Sequence, residues 1–235
     1  MRGTDPRRPD AGLGDFCDQL SFASRGQYFL GVTEREFWND AYRYDPVHAS
    51  VPDHIITTET TGLTPGTALD IGCGTGGNTL ALAGQGWNVT GIDFSDQAVF
   101  LAERAVWRAG VTARFEVVDA TDWSSLHTYD LVLSTYSLPA GGHAVTFIRN
   151  ACKAVAPGGT ILIAEWNTTM AAIWGFRECE LHTPDGIAEA MNGFTIEIQE
   201  VRRIESFFPD DDPRASHGSW AEIAVVRARR DGASS

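Results

Sequence analysis

The sequence predicts a single α/β domain with a mostly parallel sheet, and three observations lead to this fold class. Short runs rich in Val, Ile and Leu alternate with helical patterns along the middle of the chain. A glycine-rich loop follows the first of these runs and precedes a helical pattern. The 235 residues fit one large α/β domain that can build a core without disulfides or metal ions. Strand–helix alternation of this kind is typical of βαβ units, with helices on both faces of the sheet.

The alternating region is predicted to hold five strands and three helices. The strands are expected at 67–71, 88–92, 113–118, 129–134 and 160–164, and the helices at 77–84, 96–109 and 143–155. In the second helix, apolar side chains recur at three- and four-residue spacing, and Ser95 is a good N-cap for it. The Pro157-Gly158-Gly159 sequence predicts a turn that leads into the fifth strand.

The chain after the fifth strand changes its pattern. A short helix is predicted at 184–192, because proline is favoured at a first helical position and Gly193 ends the pattern. Alternating apolar residues then predict strands at 195–201 and 220–228, paired antiparallel at the sheet edge. The sheet is therefore expected to have seven strands.

The chain before the first strand is expected to form two further segments. Residues 1–14 are polar and charged and are expected to be a flexible leader. Residues 15–60 are rich in aromatic side chains and are predicted to form a helical cap, with helices near 15–24 and 34–41. Together with this cap, residues 61–235 are expected to form one domain, with the cap over the carboxyl ends of the strands.

Composition narrows the possible partners. The formal net charge of -13 disfavours nucleic acid, which usually requires a basic stripe, and favours a small neutral or cationic substrate. No apolar run is long enough to cross a membrane. The four cysteines have no CxxC spacing and no neighbouring His cluster, so we predict reduced thiols in a cytoplasmic protein without a metal site. The protein is expected to be a monomer or homodimer.

The glycine-rich loop is compatible with two cofactors. Gly72, Gly74 and Gly77 satisfy the dinucleotide spacing GxGxxG, and Asp93 follows about 20 residues later, as it would to bind an NAD ribose. Asp70, however, would be a poor neighbour for a pyrophosphate and suits a cation. Asp119, after the third predicted strand, can accept a hydrogen bond from an adenine amino group. These acids and the proline-glycine turn favour S-adenosylmethionine, which carries an ammonium and a sulfonium group.

The motifs of the central region resemble those of the class I methyltransferases. The matching segments are ALDIGCGTGG, VTGIDFS, the third-strand acid Asp119, YDLVLSTYS and VAPGGTILIAE. The resemblance spans roughly residues 60–165 and implies a Rossmann-like fold that binds S-adenosylmethionine. It also implies that the methionine portion is held by the loop from Asp70 through Gly72, Cys73, Gly74 and Gly76, with Ser134 facing the methionine end. The ribose is then bound by Asp93. The adenine is contacted by Phe94, Asp119 and Ala120.

A second, shorter resemblance concerns the N-terminal segment. FWNDAYRYD, at 37–45, is similar to a segment that opens the thiopurine- and tellurite-resistance-type methyltransferases, which act on soft nucleophiles. This resemblance implies that Trp38 and Tyr42 help to close the cofactor cleft. The alternative is a helix that only anchors itself in the core through its aromatic side chains. The same resemblance places a thiol acceptor slightly ahead of a hydroxyl or an amine.

Candidates for the chemistry lie in the loops that follow the strands. A thiol needs only mild activation, whereas a phenol or an alcohol needs a general base, for which His143 and His217 are the preferred candidates. Tyr136, Glu165 and Trp166 are predicted to shape the acceptor pocket. The alternatives to a methyltransferase are a non-catalytic protein that binds S-adenosylmethionine and an NAD-dependent oxidoreductase.

Overall fold

A seven-stranded sheet forms the centre of the protein, in a computed structural model that describes residues 33–44, 52–174, 176–205 and 220–232. The strands are β1 Thr67–Ile71, β2 Asn88–Asp93, β3 Arg114–Val117, β4 Tyr129–Thr135, β5 Val155–Trp166, β6 Phe194–Glu205 and β7 Trp220–Arg230. The α-helices in the described ranges are α1 Glu34–Tyr44, α2 His54–Glu59, α3 Gly77–Gly84, α4 Asp96–Ala109, α5 His143–Lys153, α6 Ala171–Trp174 and α7 Pro184–Glu189. The strand order β3-β2-β1-β4-β5-β7-β6 confirms the predicted Rossmann-like sheet.

The sheet is parallel from β3 to β5 and antiparallel around β7. The chain runs outward from β1 to β2 and β3, and then returns to place β4 on the other side of β1. Ligands bind at such a reversal, at the carboxyl ends of the strands. Strand β7 is antiparallel to both of its neighbours and lies between β5 and β6, so β6 is the outermost strand of the predicted antiparallel pair.

Both faces of the sheet are covered, which explains the nearly continuous apolar runs of its central strands. On one face Val132 and Ile161 pack with Phe147 of α5. On the other face Leu131 and the neighbouring apolar residues pack with Ile55 of α2. Alternate residues of one strand thus contribute to two separate cores.

Several predicted boundaries differ in the structure. The helix predicted at 143–155 ends at Lys153, and β5 begins at Val155 instead of residue 160. The reason is pairing with β4: Val155 is the partner of Tyr129, and the register shifts before Leu131 pairs with Thr160. The proline-glycine segment therefore lies within β5, as an irregularity of the strand, and does not precede it. The helix predicted at 184–192 is shorter and ends at Glu189.

The predicted cap is described in part, as α1 and α2. Helix α1 extends to Tyr44, beyond the predicted end at residue 41, whereas the helix predicted near 15–24 lies outside the described residues. Helix α2 is joined to the last two strands through Glu59, which is 5% exposed. Its carboxylate accepts hydrogen bonds from Arg202 at 2.7 Å and from Arg227 at 3.0 Å. The division into leader, cap and core stays a prediction.

Candidate active site

The loop after β1 owes its shape to glycines in the left-handed region. The φ angles are 68° at Gly72, 52° at Gly74 and 87° at Gly76. A Cβ on Gly72 would lie 2.3 Å from the Cβ of Ser137, so the loop also needs glycine for close packing against the segment after β4. Backbone amides of such a loop can approach a ligand without obstruction by side chains.

Two buried carboxylates hold the glycine loop. Asp93 ends β2 and accepts hydrogen bonds from the backbone N–H groups of Gly74, at 2.9 Å, and Ser95, at 2.8 Å. Asp70 lies in β1 and accepts a hydrogen bond from the Thr79 hydroxyl at 2.6 Å. Burial raises the pKa of Asp70 to about 7, against the opposing effect of Thr79. Burial also raises the pKa of Asp93, and its two backbone hydrogen bonds oppose the shift.

Helix α1 is joined to the start of α4 by hydrogen bonds of one side chain, that of Asn39. The amide of Asn39 accepts hydrogen bonds from the Ser95 hydroxyl, at 2.6 Å, and from the backbone N–H of Gln97, at 3.3 Å. The same amide donates to Asp96 at 2.6 Å. Ser95 in turn accepts from the N–H of Ala98, which confirms the predicted N-cap. These bonds place α1 across the carboxyl ends of the strands.

The aromatic residues of α1 reach the glycine loop. The Tyr42 hydroxyl lies 3.2 Å from the position that a Cβ on Gly74 would occupy. Trp38 stacks on Tyr42, with ring centroids 5.7 Å apart. Burial, followed by the charge of Asp93, raises the pKa of the Tyr42 phenol. The structure thus brings Tyr42, which is half-buried, to the loop, with Trp38 stacked against it.

The other end of α1 lies near the residues that follow β3 and β4. Partial desolvation and the nearby Asp119 carboxylate raise the pKa of Glu34, and His143 opposes that rise. Asp119 lies two residues beyond the end of β3 and accepts hydrogen bonds from the backbone N–H and the hydroxyl of Thr121. Ala120 follows it, and its carbonyl accepts from the Asn150 amide at 3.4 Å. Phe94 is half-buried directly after Asp93.

The end of β4 contacts the glycine loop on both sides of Tyr136. The Ser134 and Ser137 hydroxyls lie 2.7 Å apart, and Ser137 donates to the carbonyl of Ile71 at 3.1 Å. The Thr135 hydroxyl accepts a hydrogen bond from the Asn78 amide at 3.0 Å. Tyr136 itself has a φ of 53°, a left-handed conformation that is costly for a residue with a large side chain. Because of this conformation, the two residues that flank Tyr136 have different partners: Thr135 contacts Asn78, and Ser137 contacts Ile71.

Tyr136 belongs to an aromatic cluster beside β5. Its ring stacks on Trp166, with centroids 4.4 Å apart and an interplanar angle of 28°. Trp166 makes an edge contact with Trp174 at 4.9 Å and 84°. Burial, followed by interactions with Asp53 and then Glu165, raises the pKa of the Tyr136 phenol. Two of the three predicted pocket residues, Tyr136 and Trp166, are therefore in direct contact.

Glu165 holds the neighbouring backbone in place. Its carboxylate is 4% exposed and accepts hydrogen bonds from the N–H groups of Leu138, at 3.0 Å, and Trp166, at 2.9 Å. Burial raises its pKa to about 7, and these backbone hydrogen bonds oppose the rise. His182 is half-buried beside the same loop. Burial lowers its pKa, and a hydrogen bond with the backbone of Leu138 opposes this shift.

The two predicted catalytic histidines differ in what the structure shows. His143 is exposed at the first position of α5, at the same edge of the sheet as the glycine loop. His217 lies outside the described residues. Cys73 is buried within the loop as a free thiol, and burial raises its pKa.

Several residues that organise the site were not anticipated from the sequence. They are Asn39, Asp53, Asn78 and Trp174. Only Asp53 carried a local signal, since it directly precedes a helical pattern; its carboxylate accepts from Ile55 and caps α2. Its backbone N–H donates to Asn78 at 2.8 Å, which joins α2 to the helix after the glycine loop.

Two further observations concern the described ranges of the chain. In these ranges no helix has the length and apolar character needed to cross a membrane. In the same ranges no group of three or more His, Cys, Asp or Glu side chains is arranged to hold a metal ion.

Comparison with known proteins agrees with this geometry. The family model of a methyltransferase domain matches residues 68–159. The 2-methyl-6-phytyl-1,4-hydroquinone methyltransferase of Synechocystis sp. is 40% identical over 108 residues, which are 45% of this chain and 34% of the relative. A ubiquinone biosynthesis O-methyltransferase of Thiobacillus denitrificans is 28% identical over 134 residues, 56% of this chain and 58% of the relative. The chain thus spans less than two thirds of either relative.

A solved structure extends the likeness to most of the fold. It is described as showing the conversion of a disulfide bond into a thioacetal group during echinomycin biosynthesis. Its TM-score is 0.69 at 24% identity, and the match covers 86% of this chain and 94% of that one. Motif order, sheet topology and the family match therefore agree: residues 68–159 are similar to a methyltransferase domain, within a sheet of the Rossmann-like methyltransferase type.

Proposed function

We propose that this protein transfers a methyl group from S-adenosylmethionine to a small-molecule acceptor. One observation carries the proposal: a glycine loop at the reversal of the sheet is held by the buried acids Asp70 and Asp93. The segment from Asp70 to Thr79 contains no basic residue. A pyrophosphate would leave its charge uncompensated beside these acids, whereas a cofactor with an ammonium and a sulfonium fits them.

The residues that would hold the cofactor surround this loop. We assign the methionine end to Gly72, Cys73, Gly74 and Gly76, with Asp70 below them and Ser134 beside them. We assign the ribose to Asp93, and the adenine to Phe94, Asp119 and Ala120. Trp38 and Tyr42 would cover the cleft, in keeping with the contact between Tyr42 and the loop. When bound, S-adenosylmethionine supplies a methyl group on a sulfonium that is already activated.

For the acceptor we favour a hydroxyl over the thiol that the N-terminal segment suggested. Support comes from relatives named as O-methyltransferases, such as that of Thiobacillus denitrificans. A hydroxyl needs a group that takes its proton. His143 is our candidate, because it is exposed at the edge where the loops meet; His217 stays a second candidate from the sequence. Tyr136, Glu165 and Trp166 are proposed to border the acceptor. A cytoplasmic location and a monomeric or homodimeric state stay predictions.

A thermal shift assay tests the cofactor assignment against the NAD alternative. At about 100 times its dissociation constant, a ligand that binds only the folded state adds about 2.7 kcal/mol. In a domain of this size that corresponds to a rise in Tm of roughly 5–10 °C. We expect this rise with S-adenosylmethionine or S-adenosylhomocysteine and none with NAD. An equal rise with NAD, or a rise with NAD alone, would refute the assignment.

An acceptor assay separates an enzyme from a non-catalytic binding protein. Labelled S-adenosylmethionine would be incubated with the protein and matched phenols, thiols and amines. Label is expected in the phenols before the thiols. Thiols labelled faster than phenols would favour a thiol acceptor instead, and binding of the cofactor without transfer to any acceptor would favour the non-catalytic alternative.

A further inference from the structure

We propose that a cleft at the edge of the sheet opposite the glycine loop binds a small phosphate monoester, whose phosphate contacts Arg149, Lys153 and Arg230. The cleft lies apart from the residues assigned to S-adenosylmethionine and to its acceptor, so the proposal does not depend on methyl transfer. It is supported by the position and size of the cleft, by its unpaired positive charges and by its apolar wall.

The cleft lies where the end of α5 meets the start of β6 and the end of β7. Helix α5 ends at Lys153, just before β5 begins at Val155, and Phe194 at the start of β6 pairs with Arg230. Strand β5 is parallel to β4, so its amino end lies at the edge away from the glycine loop. The cleft has a volume of about 300 Å³, at the lower end of the range for small-molecule sites.

The lining of the cleft is positively charged. Among the described residues it contains Arg149, Lys153 and Arg230 and no acidic side chain. The chain as a whole has 31 acidic and 18 basic residues, and Lys153 is its single lysine, so this cluster locally reverses the overall charge. Asp231 follows Arg230 in the chain, but its carboxylate accepts a hydrogen bond from the Thr195 hydroxyl at 2.9 Å.

The three basic side chains of the cleft have no acidic partner in the part of the chain that the structure describes. By contrast, Arg202 and Arg227 both pair with Glu59. Unpaired positive charges around one cleft attract an anion. A phosphate monoester carries a charge of about −1.5 to −2 near pH 7, so it matches several cations better than a single carboxylate does.

Two of the three cations are held by neutral partners that leave donors for a ligand. Arg230 is half-buried, and its Nη1 donates to the carbonyl of Val155. The Lys153 ammonium donates to the side-chain oxygen of Asn150 at 3.3 Å. A guanidinium has several N–H donors and an ammonium has more than one, so donors remain for a phosphate. Side chains that are already held lose less entropy when the ligand binds.

An apolar wall lies beside the cations. Phe194 is half-buried in the lining, and Ala190 and Cys152 are buried there. Burial raises the pKa of the Cys152 thiol to about 12, against the opposing charge of Arg230, so the thiol is neutral near pH 7 and does not repel an anion. An apolar group attached to the phosphate can cover this wall, which inorganic phosphate would leave exposed. The wall therefore favours a monoester over free phosphate.

Lys153 provides a reporter within the site, because it is the only lysine of the chain. Its acetylation by N-acetoxysuccinimide would be followed by peptide mass spectrometry, with the α-amino group of the chain as the internal reference. Phenyl phosphate and 1-naphthyl phosphate are the probes, and phenol, 1-naphthol and inorganic phosphate are their controls.

At saturation, at least one aryl phosphate is expected to slow the acetylation of Lys153 about fivefold relative to the reference, because the phosphate occupies the ammonium. The neutral alcohols should leave the rate unchanged. Inorganic phosphate should need about a tenfold higher concentration for the same protection, because it buries no apolar surface. The proposal is overturned if neither aryl phosphate protects Lys153, or if inorganic phosphate protects it at the same concentrations.

Variants assign the protection to the basic side chains. Arg149→Gln removes an exposed charge, and Arg230→Gln removes the half-buried one; each is expected to raise the concentration for half protection about 3- to 10-fold. Arg108→Gln is the matched control, because Arg108 is exposed on α4 and forms no ion pair within the described ranges. Unchanged protection in both Arg149→Gln and Arg230→Gln would overturn the assignment. The thermal shift with S-adenosylhomocysteine should be normal in these variants, which keeps this test separate from that of the proposed function.

Discussion

The carboxylate of Asp93, at the end of β2, accepts a hydrogen bond of 2.9 Å from the backbone N–H of Gly74, in the loop after β1. A second oxygen of the same carboxylate accepts from Ser95, at the start of α4. One side chain therefore joins the glycine loop to the neighbouring strand and helix. Asp93, which we propose to bind the ribose, and the glycine loop are separate motifs in the sequence but form one structural unit.

Asp93 is predicted to be required for cofactor binding. Asp93→Asn keeps one acceptor but removes the charge, and Asp93→Ala removes both. We expect both variants to lose most of the rise in Tm that S-adenosylmethionine produces, with the larger loss in Asp93→Ala. Glu189→Ala, an exposed change at the end of α7, is the control. A full rise in Asp93→Ala, with an intact circular dichroism spectrum, would mean that the ribose is bound elsewhere.

Gly72 is predicted to tolerate substitution less well than a glycine with the same backbone angle. Gly72 and Gly110 both have a φ of 68°, but only at Gly72 would an added methyl group meet a neighbour, 2.3 Å away. Gly110→Ala should cost about 1–2 kcal/mol of unfolding free energy, for the left-handed backbone alone. Gly72→Ala should cost a further 1–3 kcal/mol or so, because Ser137 must shift. Urea denaturation measures both, and equal losses would contradict the packing argument.

Asn39 is predicted to hold α1 over the cofactor cleft. Asn39→Ala removes the hydrogen bonds to Ser95, Asp96 and Gln97. We expect faster hydrogen exchange in residues 34–44 and weaker binding of S-adenosylmethionine. Asp40→Ala serves as the control, because Asp40 is exposed on the same helix and pairs only with Arg43 among the described residues. If exchange rises while cofactor affinity stays the same, α1 is a structural anchor and not part of the binding site.

Asp70 is predicted to make the stability of the cofactor-free protein fall as pH rises. Its pKa is raised from 3.8 to about 7, so between these values the folded state binds more protons than the unfolded state. The free energy of unfolding therefore decreases as pH rises through this window. Asp70→Asn keeps an acceptor for Thr79 but does not titrate. Relative to the wild type, it should gain about 1–3 kcal/mol between pH values of about 5 and 8 in urea denaturation. A constant difference would show that Asp70 is ionised throughout.

Features that depend on local pattern could be predicted. The strands around the loop, the helix after Ser95 and the acids at the strand ends follow from hydrophobic periodicity and from the position of each acid after an apolar run. Parallel strands bring their carboxyl ends to one edge, which is why Asp70, Asp93 and Asp119 belong to the same side of the sheet. The start of β5 could not be predicted in the same way, because pairing between Val155 and Tyr129 depends on a strand distant in sequence.

By itself, therefore, the sequence determined the sheet, the glycine loop and the acids that surround it, because each depends on residues within a few positions of one another. Only the tertiary structure decided that Asn39 fastens α1 to α4, that Tyr136 adopts a left-handed conformation, and that Trp174 meets Trp166 at a right angle. These contacts join residues of different elements, or a strained backbone held by its surroundings, and no local pattern encodes them. Local pattern thus predicts the acids around the glycine loop, whereas the aromatic contacts beside β5 appear only when the chain is folded.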